Sequence, residues 1–178
     1  MQKPFQILLL ILFIFCFVDK IYAQSPGDKL IPGDKLKWEY YTGKPDSASG
    51  YWSSTYWNVF YHYKIASIRA DTVKVSVQLS HFLRGDSWVL QNKESDELLH
   101  HEQGHFNLAI VFETKFKQAI DTTTLLFFNY DKKIDSVYNA VLNNIKDMNV
   151  QYDKETNHMW NKEEQKRWDD KIAAMMKE

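Results

Sequence analysis

The sequence predicts an α+β domain, and three observations carry that assignment. Strand-type patterns fill the first half of the chain and helical periodicity fills the second. Strands and helices do not alternate as a parallel βαβ sheet requires. The 178 residues suffice for one sizeable core but not for two ordinary domains. Hydrophobic residues at 44% and charged residues at 25% exclude wholesale disorder.

The elements follow in chain order. Trp38–Tyr41 predicts a first short strand, ended by the turn-prone stretch Gly43–Gly50. From Thr55 to Ile68 the chain is rich in Tyr, Trp, Phe, Val and Ile and predicts a strand or hairpin. Val73, Val75, Val77 and Leu79 alternate with Lys74, Ser76 and Gln78, the period of a half-buried strand. Arg84-Gly85-Asp86-Ser87 is a turn leading into Trp88-Val89-Leu90. The pattern then becomes helical. Ser95 or Asp96 can cap a helix running to about Ala119, with Glu97 in its first turn. The spacing of Ile134, Val137, Val141, Ile145 and Met148 marks a second helix, and Asn161 with Glu164 resembles a capping box for a third carrying Trp168, Ile172 and Met175. Tyr152 to His158 reads as a polar connection between those two helices.

Lys3, the apolar run Phe5–Val18, then Asp19 and Lys20 ahead of Ala23 fit a secretory signal over residues 1–23. The run is shorter than a membrane span, which needs about 20 residues. Processing as a lipoprotein at Cys16 is disfavoured by Phe15 before it, where a small residue belongs. Residues 24–35 read as a linker, and residues 36–178 as the domain. Within that linker Pro-Gly-Asp-Lys-Leu occurs twice, at 26–30 and 32–36, which suggests a duplicated linker rather than two stacked turns. Cys16, the single cysteine, leaves with the signal, so no disulfide framework is expected. With 22 basic against 23 acidic side chains, the chain lacks the basic excess that nucleic acid or an anionic membrane surface attracts. The expected setting is the periplasm or the medium, without a stable membrane anchor after signal cleavage.

His101-Glu102-Gln103-Gly104-His105 is an H-E-x-x-H motif. Two histidines at i and i+4 sit about 40° apart around a helix, so both imidazoles can reach one Zn²⁺. Glu102 projects to the side, where it can hold a water activated by that metal. A projection at about 100° per residue puts Leu98, Leu108, Ala109, Phe112 and Phe116 on the stripe of His101 and His105. Asp96, His100, Asn107, Thr114 and Gln118 lie opposite. Both motif histidines therefore point inward. Core histidines satisfied by ordinary hydrogen bonds are the bland alternative; a metal supplies a partner to both rings at once.

A catalytic zinc site needs a third protein ligand. Glu113 lies about 12 Å along the same helix from His105 and is excluded if that helix is straight. His100 points away, and His62 and His81 fall in strands. The polar connection holds His158, with Asp153 and Glu155 as further candidates. Tyr152 suits either an oxyanion donor or, more often for a buried Tyr, a hydroxyl that orders its loop.

The chain resembles a bacterial family of uncharacterised, predicted secreted zinc-dependent proteases, grouped with the zincin metallopeptidases. The resemblance runs from about Leu36 to Ile172. It rests on Leu36-Lys37-Trp38 with Gly43-Lys44-Pro45, on Ser87-Trp88-Val89, on Leu98–Phe106, and on Tyr152-Asp153 … Thr156 … His158 … Gln165 … Trp168. Asn107 stands where the family has an acidic residue, and Met159 where it has a glycine. The resemblance implies a zincin-like fold: a small N-terminal antiparallel or mixed sheet packed on the H-E-x-x-H helix, its edge strand lining a cleft, followed by two C-terminal helices. It implies Zn²⁺ held by His101, His105 and His158, with Glu102 as general base and then general acid. It implies a peptide or protein substrate in the cell envelope or outside the cell. A zincin-shaped envelope binding or structural protein with a stabilising metal is the alternative. Intact Glu102 favours catalysis over it, because a structural site closes its fourth position and has no use for a base. Trp52, Trp57 and Trp88 are candidates to line a substrate groove, although aromatic residues more often fill cores.

Export is directly testable. N-terminal sequencing of protein recovered from the envelope or medium should start at Gln24; Met1 retained in a membrane fraction would replace export by anchoring.

Overall fold

The computed structural model describes residues 27–178; the signal assigned to residues 1–23 and the start of the linker lie outside the described residues. Nine elements follow in order: two single-turn 3-10 helices (Pro32–Asp34 and Trp38–Tyr40), strands β1 (Ser53–Ser54), β2 (Trp57–Arg69), β3 (Thr72–Leu83) and β4 (Trp88–Val89), and helices α1 (Asp96–Thr122), α2 (Tyr130–Thr156) and α3 (Lys162–Met175). The architecture is α+β, with antiparallel pairing and three helices. No helix among the described residues is long and apolar enough to cross a membrane.

Helix α1 is the central element because its apolar stripe is wide. Leu98, Leu108, Ala109, Phe112 and Phe116 are buried on it with His101 and His105, as the helical projection predicts. Ser95 caps it by accepting from the Leu98 N–H, and Asp96 and Glu97 face the positive end of the helix dipole. Strands β2 and β3 form one long hairpin, paired from Trp57↔Leu83 to Arg69↔Thr72 with a bulge between Ile65 and Ser67. Its Val59, Tyr61 and Val73 join the α1 stripe, Ile134, Ile145 and Tyr152 of α2, and Trp168 and Ile172 of α3 in one core. Strands β1 and β4 make a separate two-residue pair, Ser53↔Val89 and Ser54↔Trp88.

Three expectations are corrected. Trp38–Tyr40 is a 3-10 turn rather than a strand. Its aromatic residues serve packing instead: Trp38 meets Tyr41 edge to face, and both join a second core with Leu83 and Phe106. Helix α2 does not stop near Met148 but runs to Thr156, absorbing most of the segment read as a connection. The reason is periodicity, since the stripe of Ile145 and Met148 continues through Tyr152 and Thr156, both fully buried. Finally, the described part of the 24–35 segment is no free linker. Lys29 bridges to Leu83 through both backbone bonds, Asp28 accepts from the Gly85 N–H, and Ile31 is buried. The two pentapeptide copies take different jobs: Leu36 is 5% exposed, whereas its counterpart Leu30 is 67% exposed.

That contrast gives an internally controlled test. Leu36→Ala should lower unfolding stability by about 2–4 kcal/mol, the cost of emptying a packed leucine site. Leu30→Ala should stay within about 0.5 kcal/mol. Urea unfolding followed by tryptophan fluorescence reads both, and equal small effects would restore the linker reading.

Candidate functional site

The H-E-x-x-H residues occupy the second and third turns of α1, where His101, Glu102 and His105 are all buried. Across from them α2 presents Asn149 and Asp153, one turn apart on the same face. Beyond α2, Asn157, His158 and Met159 all adopt left-handed backbone, with φ of 46°, 50° and 83°. This tight turn folds His158 back over the helix end, its N–H donating to the Asp153 carbonyl. Non-glycine residues pay for that conformation. Met159 has the largest positive φ of the three.

A single atom ties the cluster together. Asp153 Oδ1 lies 3.2 Å from His101 Nε2, 3.0 Å from His105 Nε2 and 3.1 Å from His158 Nδ1. The two motif Nε2 atoms are 3.1 Å apart. One ligand atom each of His101, Asp153 and His158 lies within 4.8 Å of the others.

The surrounding hydrogen bonds decide what those nitrogens carry. Asp169 Oδ1 can only accept, so the amide nitrogen of Gln165, 3.0 Å away, donates to it. The same amide donates to the Tyr152 hydroxyl, which in turn donates to the His101 carbonyl. Gln165 Oε1 is thereby turned to His101 Nδ1 at 3.1 Å, and that nitrogen must hold the proton. Asn149 Oδ1 faces His105 Nδ1 at 2.8 Å, an arrangement that suits a proton on that nitrogen too. In neutral rings both Nε2 atoms are then lone pairs, facing each other and a carboxylate oxygen. Three acceptors without a proton between them repel; a cation among them removes the conflict. The donor set thus fits a metal such as Zn²⁺, with Gln165 and Asn149 orienting the rings.

Without a metal a proton has to serve. Burial opposes a charge on His105, but the hydrogen bond to Asp153 and the charges of Asp153 and Glu102 outweigh it and push its pKa up to about 9. Burial also opposes the Asp153 carboxylate, yet the hydrogen bonds from His101 and His105 hold it well below the usual carboxylate range.

Glu102 faces the cleft under a clasp of hydroxyls. Ser53 Oγ donates to Oε1 at 2.5 Å, and Thr55 Oγ1 donates to Oε2. Tyr41 OH lies 2.5 Å from Thr55 Oγ1. Burial, helped by the charge of Glu102, pushes the Tyr41 pKa well up, so that hydroxyl stays protonated. The cleft above has a volume of about 590 Å³, and its lining includes residues 49–56 together with Asn157, His158 and Trp160.

The remaining sequence candidates are now placed. Tyr152 is corrected as an oxyanion donor: it is fully buried, its hydroxyl is spent on the His101 carbonyl, and it does not line the cleft. It stacks on His101 at 4.7 Å between ring centroids and explains Gly104, where a Cβ would sit 2.2 Å from the Tyr152 oxygen. Glu113 is engaged with His81, whose other nitrogen meets Asp34, all away from the cluster. His100 is exposed and pairs with Asp169. Of the three tryptophans weighed for a groove, Trp52 lines the cleft, while Trp88 is core. Sequence reading named Asp153 only as a fallback, quoted Gln165 in the resembling block without a role, and missed Ser53, Thr55 and Asn149. For Asn149 and Asp153 the signal was available, since they stand four apart on the continuing α2 period.

The family model for a bacterial protein of unknown function, DUF922, matches residues 34–159, more than half of the chain, and the chain belongs to that family. No curated protein and no solved structure matches it.

The proton-holding state predicts a pH signature. A folded pKa of about 9 against an ordinary 6.5 stabilises the metal-free fold fully below pH 6.5, and that stabilisation is lost as pH rises through 9. Thermal unfolding of chelator-treated protein should therefore show Tm falling across this window. Asp153→Asn should flatten the fall; an unchanged slope would remove Asp153 as the proton's partner.

Proposed function

We propose that this DUF922 protein is an exported zinc-dependent metallopeptidase of zincin type, with His101, His105 and His158 as the ligating imidazoles and Glu102 as the general base. The observation that carries the reading is the meeting of the His101 and His105 Nε2 atoms at 3.1 Å beside the Asp153 carboxylate oxygen, with both Nδ1 atoms turned to amide oxygens. Support also comes from Glu102, a buried carboxylate aimed into a cleft rather than into a salt bridge.

Zinc bound there would supply Lewis acidity, polarising a scissile carbonyl and making water a nucleophile near neutral pH. The chain's own groups account for the rest. Ser53 and Thr55 occupy one lone pair on each Glu102 oxygen and fix the carboxylate plane. Each oxygen keeps another lone pair to take a proton from water and later pass it to the leaving amine. Strand β1 is paired on one side by β4, and its residues line the cleft on the other; an extended peptide laid there would run beside Glu102.

One observation favours the non-catalytic alternative. Asp153 Oδ1 stands within 3.2 Å of all three imidazoles and is positioned to be a fourth ligand, which would close the coordination sphere of a structural metal. Catalysis requires Asp153 to leave one position for water.

Metal analysis beside peptide-library cleavage separates the two readings. Glu102→Gln should keep zinc and fold but abolish hydrolysis, with kcat reduced at least about 100-fold. His158→Ala should weaken zinc binding at least tenfold, while His62→Ala and His81→Ala leave it unchanged. Zinc bound without cleavage by the wild-type protein would move the assignment to the structural metal, and hydrolysis surviving in Glu102→Gln would end the general-base role.

A further inference from the structure

The rim of the cleft is aromatic, and the proposed chemistry has no use for that. Trp160 keeps 59% of its surface exposed and Tyr51 47%. Trp160 follows directly on the three left-handed residues 157–159, so the strained turn that folds His158 inward also throws Trp160 outward. Its indole meets Trp52 edge to face at 5.3 Å between centroids, and Tyr51 lies 4.9 Å from the His158 ring. Residues from two distant segments, the approach to β1 and the α2–α3 turn, thus converge on one lip of the cleft.

The charges at that lip narrow the ligand. The residues lining the cleft include Glu102 and Asp153 and no Lys or Arg. Lys93, the nearby ammonium, sits over the Trp52 ring at 4.1 Å and is not among the lining residues. A phosphate, an acidic side chain or a terminal carboxylate would find no Lys or Arg in the lining, which favours an uncharged stretch of chain at the aromatic lip. The polar atoms are gathered at the floor and the aromatic surface at the rim. That division suits a ligand with a polar backbone and a flat apolar side group.

We propose that Trp52 and Trp160 form a side-chain subsite that takes an aromatic side chain of an extended polypeptide bound along the cleft. The proposal rests on the peptidase reading for its choice of polypeptide, but binding at the subsite needs neither metal nor turnover. The indole pair offers an edge-and-face notch of the kind that a third ring completes. Exposed aromatic residues at a contact centre commonly carry most of a binding energy.

The test uses the purified protein carrying Glu102→Gln, so that nothing is cleaved, and hexapeptides blocked at both ends. These differ only at one central position: Phe, Ala or Glu. Binding is read by calorimetry, with and without zinc. The Phe peptide should bind about tenfold tighter than the Ala peptide and tighter still than the Glu peptide. Trp160→Ala should bring Phe down to the Ala value, and Trp160→Phe should restore most of the difference, with thermal unfolding unchanged in both. Equal affinities for Phe and Ala, a Phe preference that survives Trp160→Ala, absence of peptide binding, or binding of a chitooligosaccharide in place of peptide would each overturn the proposal. Phe-selective binding by a protein that takes up no zinc and cleaves nothing would uphold the subsite while ending the metallopeptidase reading.

Discussion

The contact on which the structure turns is the approach of Asp153 Oδ1 to three imidazole nitrogens at 3.0–3.2 Å. Two of those rings are buried on α1, and the third arrives from a turn whose backbone is left-handed at three successive side-chain-bearing residues. Gathering these groups costs desolvation and strain, so the rest of the fold has to supply rigidity. It does so by burying α1 on nearly every side: the β2–β3 hairpin, α2 and α3 all pack on its apolar stripe.

Polar satisfaction is complete around this centre. No buried side-chain nitrogen or oxygen among the described residues lacks a hydrogen-bond partner. The Asp169–Gln165–Tyr152 chain reaches from α3 through α2 to the backbone of α1 and fixes the ring of His101 on its way. A half-satisfied network at this depth would cost more than an apolar core. Gly104 belongs to the same arrangement: only a missing side chain lets the Tyr152 hydroxyl reach the helix backbone. A helix-weakening residue is tolerated because the contact it admits seats α2 against α1.

The N-terminal third of the domain acts on the other side of α1. Gln103, between the motif residues, accepts from the Leu36 N–H and donates to the Asp34 carbonyl. The H-E-x-x-H turn is thereby held from behind by residues 34–36 while its front faces the cleft. Strand β1 and the residue after it close that front by placing Ser53 and Thr55 on Glu102. The carboxylate is fixed by neutral donors rather than by a cation, which leaves its charge available to a ligand in the cleft.

Much of this was legible from residue spacing. The period-2 run at Val73–Leu79, the Ser95 cap, the stripe through His101 and His105 and the Asn161 cap are local features, set by nearest-neighbour chemistry and side-chain direction. The inward aim of the motif pair followed from the same geometry. Other features were decided only by tertiary contact. Trp38–Tyr40 has strand-like composition but no partner strand, so it turns instead. Residues 149–156 continue the α2 period in a polar setting, and it is the core that Tyr152 and Thr156 enter that carries the helix onward. Ser53, Thr55 and Gln165 are ordinary polar residues in sequence, distant from the motif by 49, 47 and 64 positions from the residues they touch. Helical periodicity is written over a few residues; a hydrogen bond across such separations exists only once the chain between has folded.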